Sequence, residues 1–256
     1  MLTEDGQLFK FSKGEKKLRL SLQNFAKMIE FSLVRPDATE KDIERFCQIV
    51  RENNFATACV NPVNVALTAR FLQGTDIDIS ASIGFPFGSH LPEIKALETE
   101  RSIEMGATHI DMVINIGALK SGKDDVVFED IKRVVDVAKD VPVKVILENG
   151  FLTDKEKIRG CEIAREAGAS FVKTATGIES KYLLETGSGS MGATVKDVKL
   201  MKKVVGNRVK VKASGRIHTL GFALELIKAG ADRLGTSKGP QLIREFKEKF
   251  GDSVEI

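Results

Sequence analysis

Two lysines stand where a lysine is costly. Lys173 follows Phe171 and Val172 in ASFVKTATGI, residues 169–178, ahead of a polar turn closing at Gly177, and Lys212 has a similar frame in VKVKASG. Each ends a run that reads as a buried strand. Burial disfavours an ammonium and a neighbouring cation disfavours it further, so a lysine so placed gives up its proton more readily. The neutral amine attacks a carbonyl to give a carbinolamine and then a Schiff base, whose iminium is an electron sink for making or breaking the adjacent carbon–carbon bond. Two lysines at neighbouring strand ends can divide this labour, one attacking while the other lowers its proton affinity. Either lysine taken alone fits the commoner case of an amine in water or paired to a carboxylate.

The elements that would position them recur along the whole chain. Eight β-branched runs, KMIEFSLV, FATACV, IDISASIGF, HIDMVIN, VKVIL, SFVKT, VKVKAS and ADRLGTS, alternate with stretches such as ATEKDIERFCQIVRENN and FEDIKRVVDVAKD, whose apolar residues recur at three and four. Helix ends are marked by Asp37 and Thr39, by Thr153 with Glu156 three residues on, and by Gly168 and Gly230. The 256 residues thus hold eight strand–helix units without a Pro/Ser-rich linker. A single closed (β/α)8 TIM barrel is expected over residues 1–256, with an extra N-terminal helix as a helical extension over residues 1–27. An open doubly wound sheet is the alternative, and no GxGxxG after the first strand supports it. In a barrel, function gathers at the strand C-termini. Asp111 in strand four, Lys173 in strand six and Lys212 in strand seven would then share one mouth. Alternation puts Phe171 with Lys173 and Lys210 with Lys212 on one face.

The loops after strands seven and eight, ASGRIHT and LGTSKGP, are small and glycine-bearing, as a phosphate site at that end of a barrel requires. Gly215 and Gly235 permit close backbone approach, and Arg216, Thr236, Ser237 and Lys238 add donors. Net charge is only +3, from 39 Lys+Arg against 36 Asp+Glu, without a basic stripe, so no nucleic-acid surface is expected. Cysteines 47, 59 and 161 lack CxxC spacing, and histidines 90, 109 and 218 are dispersed, which gives neither a disulfide framework nor a metal site. His109 shares Asp111's parity and could line the barrel. No run approaches a membrane span, and a cytoplasmic location is the default.

In order from about residue 28 to 240, RPDATEKDIERFC, ACVNP, ASIGFPFG, HIDMVINIGALKSG, VKVILE, FVKTATG, VKVKASG and GADRLGTSKG make the chain resemble the 2-deoxyribose-5-phosphate aldolase family. The resemblance implies a Schiff-base lyase of the (β/α)8 class that needs neither metal nor organic cofactor. It implies reversible cleavage of 2-deoxyribose 5-phosphate to acetaldehyde and glyceraldehyde 3-phosphate. By the same likeness Lys173 is the Schiff-base lysine, Lys212 the lysine that perturbs it, and Asp111 the carboxylate of a proton relay acting with a water. Gly177, Gly215, Gly235 and Ser237 fall on positions associated with the phosphate, and a homodimer or homotetramer is implied.

The chain also departs from the family pattern. Glu30-Phe31-Ser32 stands where Asp-His-Thr is usual, so substrate contacts are expected of Glu30 and Ser32 in altered form. SGRIHT has Arg216 in place of a glycine and His218 in place of a common arginine, and GTSKG brings in Lys238; Arg216 either strengthens the anion site or obstructs it, and the positive charges added at 216 and 238 suggest a more charged or differently placed anion. The loop 178–194 contains Tyr182, the only tyrosine, while the tail FGDSVEI has none. Alternatives are an aldolase of the same family with another phosphorylated sugar as substrate, and a non-catalytic sugar-phosphate-binding barrel.

Overall fold

Alternation in the strands turns their apolar side outward. Ile29, Phe31, Ala58, Val60, Ile79, Ile110, Met112, Val145, Val172, Val211 and Leu234 are all buried in the core cluster. The residues between them are Glu30, Ser32, Thr57, Cys59, Ser80, Ser82, Asp111, Lys144, Lys173 and Lys212. Barrel lumens are ordinarily filled by branched apolar side chains. Here the lumen takes the polar set and the surrounding helices take the apolar one.

The computed structural model describes residues 19–178 and 192–256. Eight parallel strands close the barrel: β2 (Ile29–Leu33), β3 (Thr57–Val60), β4 (Asp78–Ile83), β5 (His109–Val113), β6 (Val143–Ile146), β7 (Phe171–Lys173), β8 (Lys210–Ser214) and β9 (Arg233–Thr236). Each pairs with its successor, and β2 closes the ring on β9. The eight runs picked out by alternation are these eight strands. The helices outside them are α2 (Glu40–Asn53), α3 (Val65–Phe71), α4 (Pro92–Glu104), α5 (Ile116–Lys120), α6 (Asp124–Ala138), α7 (Asp154–Glu166), α8 (Val195–Val205), α9 (Leu220–Lys228) and α10 (Gly239–Phe250). None of the described helices is long and apolar enough to cross a membrane.

Local signals set the helix ends. Thr39 with Asp42, and Thr153 with Glu156, form capping boxes at the starts of α2 and α7, satisfying amides that a first turn leaves bare. Gly230 follows α9 at φ 108°, and Ala231 N–H reaches back to Leu226 O at 3.0 Å, a left-handed stop that a side chain would resist.

At the N-terminal side, residues 19–26 are not one helix. Arg19–Ser21 is a strand, β1, antiparallel to the C-terminal strand β10 (Ser253–Glu255), with buried Leu20 opposite buried Val254. Ser21 then caps the short helix α1 (Leu22–Ala26), whose Phe25 stacks on Phe246 of α10 at 5.1 Å. The tail FGDSVEI is thus held in this small sheet. Residues 1–18 and 179–191, with Tyr182, lie outside the described residues.

Candidate active site

Register brings the lumen-facing charges together. Asp111 pairs with Lys144, and Lys173 with Lys212, on adjacent strands. Across the lumen, Lys173 Nζ and Lys212 Nζ both donate to Asp111 Oδ2, at 2.8 and 2.7 Å, so the two nitrogens are immediate neighbours. Asp111 Oδ1 accepts from Ser80 Oγ at 2.7 Å and from Lys144 Nζ at 3.0 Å. Lys212 also donates to Glu30 Oε2, from which Lys144 Nζ is 3.5 Å away.

Three ammonium groups therefore face two carboxylates, all nearly sealed from water: Lys144 and Asp111 are 0%, Lys212 and Glu30 1%, and Lys173 3% exposed. Fully ionised, the cluster carries one positive charge in excess. Burial works to raise Asp111, but Lys144, Lys173 and Lys212 outweigh it and hold that carboxyl well below its ordinary range. Burial likewise works to raise Glu30, and Lys144 and Lys212 bring it down. For Lys212, burial pulls the ammonium down, while Asp111 and Glu30 more than compensate and hold it above an ordinary lysine. Lys212 is thus a permanent cation with its charge matched. Lys144 also faces both carboxylates, and Lys173 has Asp111 alone.

Sequence reasoning brought out Lys173, Lys212 and Asp111, and these meet. It missed Lys144 and Ser80. Glu30, expected to touch substrate, does not line the cavity: it lies two residues down β2 from Ser32, on the same face, and is covered by Lys212. Phe31 points the other way and stacks on Phe46 at 5.2 Å. His109 lies two residues before Asp111; burial and the Lys144 charge push its imidazole down to about 4, so it is neutral at pH 7.

Above the cluster the lumen opens in two joined chambers. The inner one, bounded by Ser32, Cys59, Ser82, Phe85, Lys173 and Lys212, holds little more than a water. The outer one, of about 310 Å³, has the size of a small-ligand site and shares Ser32, Thr176, Ser214 and Gly235 with the inner. Its wall includes Gly177, Gly215, Arg216, Gly235 and Ser237, as expected, together with His218 and Arg35, of which Arg35 was not foreseen as a site residue. Lys238 is exposed and does not line either chamber; it sits at the start of α10.

The backbone of this mouth is tightly specified. Gly177 and Gly215 have φ 80° and 92°, a backbone conformation that glycine adopts without strain. Arg216 also lies in the left-handed region, at φ 57°, without being a glycine. Thr174, next to Lys173, ties β7 to β8: its Oγ1 donates to Ser214 O and accepts from Ser214 N, both at 2.9 Å.

The profile of the DeoC/LacD family of aldolases matches residues 27–240. The chain belongs to this family. A protein of Methanothermobacter thermautotrophicus named deoxyribose-phosphate aldolase is 50% identical over 225 residues, covering 88% of this chain and 96% of its own. One of the same name from Caldanaerobacter subterraneus is 46% identical over 232 residues, covering 90% and 96%. Among solved structures, a tetrameric deoxyribose phosphate aldolase from Aeropyrum pernix superposes with a TM-score of 0.79 at 30% identity, covering 89% of this chain and 92% of that one. An aldolase of this family must generate or stabilise a carbanion equivalent. Of the ionisable groups in the cluster, only Lys173 and Lys212 reach the chamber wall. Among the described residues there is no group of three His, Cys, Asp or Glu placed to hold a metal ion.

Proposed function

We propose that the chain is a Schiff-base aldolase that reversibly cleaves 2-deoxy-D-ribose 5-phosphate to acetaldehyde and D-glyceraldehyde 3-phosphate, with Lys173 as the nucleophile. The observation that carries this reading is the shared oxygen: Lys173 and Lys212 both donate to Asp111 Oδ2 at the floor of the small inner chamber, which shares a wall with the outer one of about 310 Å³.

The chemistry follows from the charges. Releasing one proton brings the cluster to neutrality. Lys212 is held charged by two carboxylates and Lys144 is walled off from the chamber, so Lys173, with a single carboxylate contact, is the lysine free to react as an amine. It adds to C1 of the open-chain sugar, and loss of water from the carbinolamine gives the iminium. The C3 hydroxyl loses its proton, the C2–C3 bond breaks, and its electron pair forms the enamine as glyceraldehyde 3-phosphate departs. Protonation at C2 and hydrolysis of the iminium release acetaldehyde and restore the amine. Lys212 stabilises the oxygen of the carbinolamine as a fixed cation. Asp111 keeps both ammonium groups oriented and, through a water, is the carboxylate of the proton path.

The phosphate is read into the outer chamber, where Gly177, Gly215, Gly235 and Ser237 supply backbone and hydroxyl donors and Arg216 supplies charge. Arg216 also favours the second reading, an aldolase of the same family with a different phosphorylated sugar. The tetrameric Aeropyrum pernix structure supports a homo-oligomer, read here as a homodimer or homotetramer, and the relatives' names support a small sugar phosphate as substrate; a cytoplasmic location is the reading taken from the sequence.

The test is aldol cleavage by wild type and Lys173→Ala side by side, with borohydride trapping of acetaldehyde and peptide mapping. The expected result is a reduced adduct on Lys173 and no turnover in the variant. An adduct elsewhere, or an unchanged rate, overturns the mechanism. A phosphorylated aldehyde turned over faster than the deoxyribose product pair would favour the second reading.

A further inference from the structure

Strand β6, which pairs with β7 beside Lys173, runs on into a buried carboxylate that the charge cluster does not use. Past its end the chain keeps to β7: Leu147 N–H donates to Lys173 O at 2.9 Å, and Asn149 N–H to Thr174 O at 2.8 Å. Between them Glu148 adopts φ 55° and ψ 65°, in the left-handed region, and is 4% exposed. Asn54, Lys139 and Arg216 also have positive φ, but all three are exposed. A non-glycine residue in that region is strained, and a carboxyl taken out of water has to be compensated. Strain of this kind persists where a site requires a fixed geometry.

The Glu148 carboxylate is spent on one residue. Thr176 N–H donates to Glu148 Oε2 at 2.8 Å, and the Thr176 hydroxyl is bonded to the same carboxylate. That hydroxyl accepts in turn from Ile178 N–H at 3.1 Å. Burial raises the Glu148 carboxyl above its ordinary value, against the pull of the two Thr176 bonds and of the charge on Lys173. Thr176 lines both chambers, and Glu148 lines neither. The turn after Lys173 is thus held at two points, Thr174 from β8 through Ser214 and Thr176 from β6 through Glu148. The amides of Thr176 and Ile178 are used within this arrangement. The one between them belongs to Gly177, on the outer wall at φ 80°, and has no acceptor among the described residues.

We infer that Glu148 is a positioning residue for the phosphate: by holding Thr176 at both its amide and its hydroxyl, it fixes the turn that presents the Gly177 N–H to a phosphoryl oxygen. This rests on the reading of the outer chamber as the phosphate site. Two donors at Thr176 call for a group that only accepts, and an ionised carboxylate does so. Thr176 follows Lys173 by three residues, so the same turn also sets the span from the reacting amine to the phosphate.

The experiment compares kcat/KM for cleavage of 2-deoxyribose 5-phosphate and of unphosphorylated 2-deoxyribose by wild type, Glu148→Gly, Glu148→Asp and Glu148→Gln, with circular dichroism as the check on folding. Glycine takes the left-handed backbone without strain, so that variant removes the clamp and relieves the backbone together. Aspartate keeps the charge but withdraws it by one methylene, while glutamine keeps the reach and one acceptor oxygen. The preference for the phosphorylated sugar should fall about 10- to 100-fold in the glycine and aspartate variants, mainly through KM, as expected for one lost hydrogen bond to a charged group. Glutamine should restore most of it. Equal losses on the two sugars would make Glu148 merely structural, and an unchanged preference in a folded glycine variant would show that the turn holds without it; either result overturns the inference. Recovery by aspartate and not by glutamine would trace the effect to charge near Lys173 and overturn it equally. If the glycine variant does not fold, the aspartate and glutamine variants decide the same question. Calorimetry with inorganic phosphate on the same proteins needs no turnover. Binding should weaken in the glycine and aspartate variants, whereas an equal Kd throughout, or no binding to wild type, would overturn the inference. Borohydride trapping on Lys173 of the wild type reports on the aldolase reading separately, so the two failures are distinguishable.

Discussion

Replacing Lys144 by methionine should make the protein more stable. The cluster buries three lysines against two carboxylates, so removing Lys144 leaves two against two. Its removal leaves no carboxylate oxygen that it served unsatisfied. Asp111 Oδ1 keeps Ser80 Oγ at 2.7 Å, Asp111 Oδ2 keeps Lys173 and Lys212, and Glu30 Oε2 keeps Lys212. Methionine is unbranched and apolar and fills much of the same channel. Exchanging a whole buried ion pair for apolar residues is commonly neutral or stabilising by about 1–4 kcal/mol, and the single exchange here resembles it because two lysines remain against two carboxylates and no charge is left uncompensated. With the lost contact to Asp111 set against that, a gain of about 1–3 kcal/mol is expected, or roughly 2–10 °C in Tm. Asp111→Ala must go the other way, since it leaves three ammonium groups facing one carboxylate, at a cost of about 3–5 kcal/mol. Urea unfolding at pH 7 measures both. A Lys144→Met variant destabilised by more than about 1 kcal/mol, or an Asp111→Ala variant of wild-type stability, would refute the charge count. Because Lys144 does not line the chamber, any fall in turnover reports the lost charge rather than a lost substrate contact.

Asp111 and Glu30 are both held below their ordinary values, so the stability they confer is complete above about pH 5 and is lost as pH falls through those values toward the folded ones. Glu30→Gln should therefore flatten the loss of stability between about pH 5 and 3, measured as urea midpoints; an unchanged slope would contradict the assignment. Arg216→Gly relieves about 1–2 kcal/mol of left-handed strain but gives up about 0.5–1 kcal/mol to unfolded-chain entropy, so the net change in stability is within about 1 kcal/mol. Its KM for a phosphorylated aldehyde should rise while kcat holds, and a KM unmoved by the change would remove Arg216 from the anion site. Thr174→Val leaves the buried Ser214 N–H without its acceptor, at about 1–3 kcal/mol, and loosens the link that sets Lys173 beside Lys212. Turnover of the sugar phosphate should drop with stability; a variant that is less stable but fully active would show that the strands keep register without it.

Much of this was legible because strands and helices write their periods into the sequence. The runs around Lys173, Lys212 and Asp111 fixed the parity, and Thr153 with Glu156 and the glycine at 230 marked helix ends through purely local hydrogen bonding. Lys144 was legible too. In VKVIL it alternates with Val143 and Val145 just as Lys212 does with its neighbours, and the question asked of two lysines applied equally to a third. Glu30 was harder, since depth along a strand decides between the chamber wall and the layer beneath, and depth depends on the stagger of a closed barrel.

Lys238 and the N-terminal stretch show the limit from another side. GTSKG places a lysine two residues beyond Thr236, but only the turn into α10 shows that it leaves the chamber. The pairing of Arg19–Ser21 with Ser253–Glu255 joins opposite ends of the chain, and no local pattern specifies a partner more than two hundred residues away. The sequence alone determined the alternation, the number of barrel strands and the residue types that face the lumen, because these depend on near neighbours. Which charges touch, how many there are, and which of them reaches the cavity were decided only by closure of the barrel, since electrostatic partnership depends on distance through space.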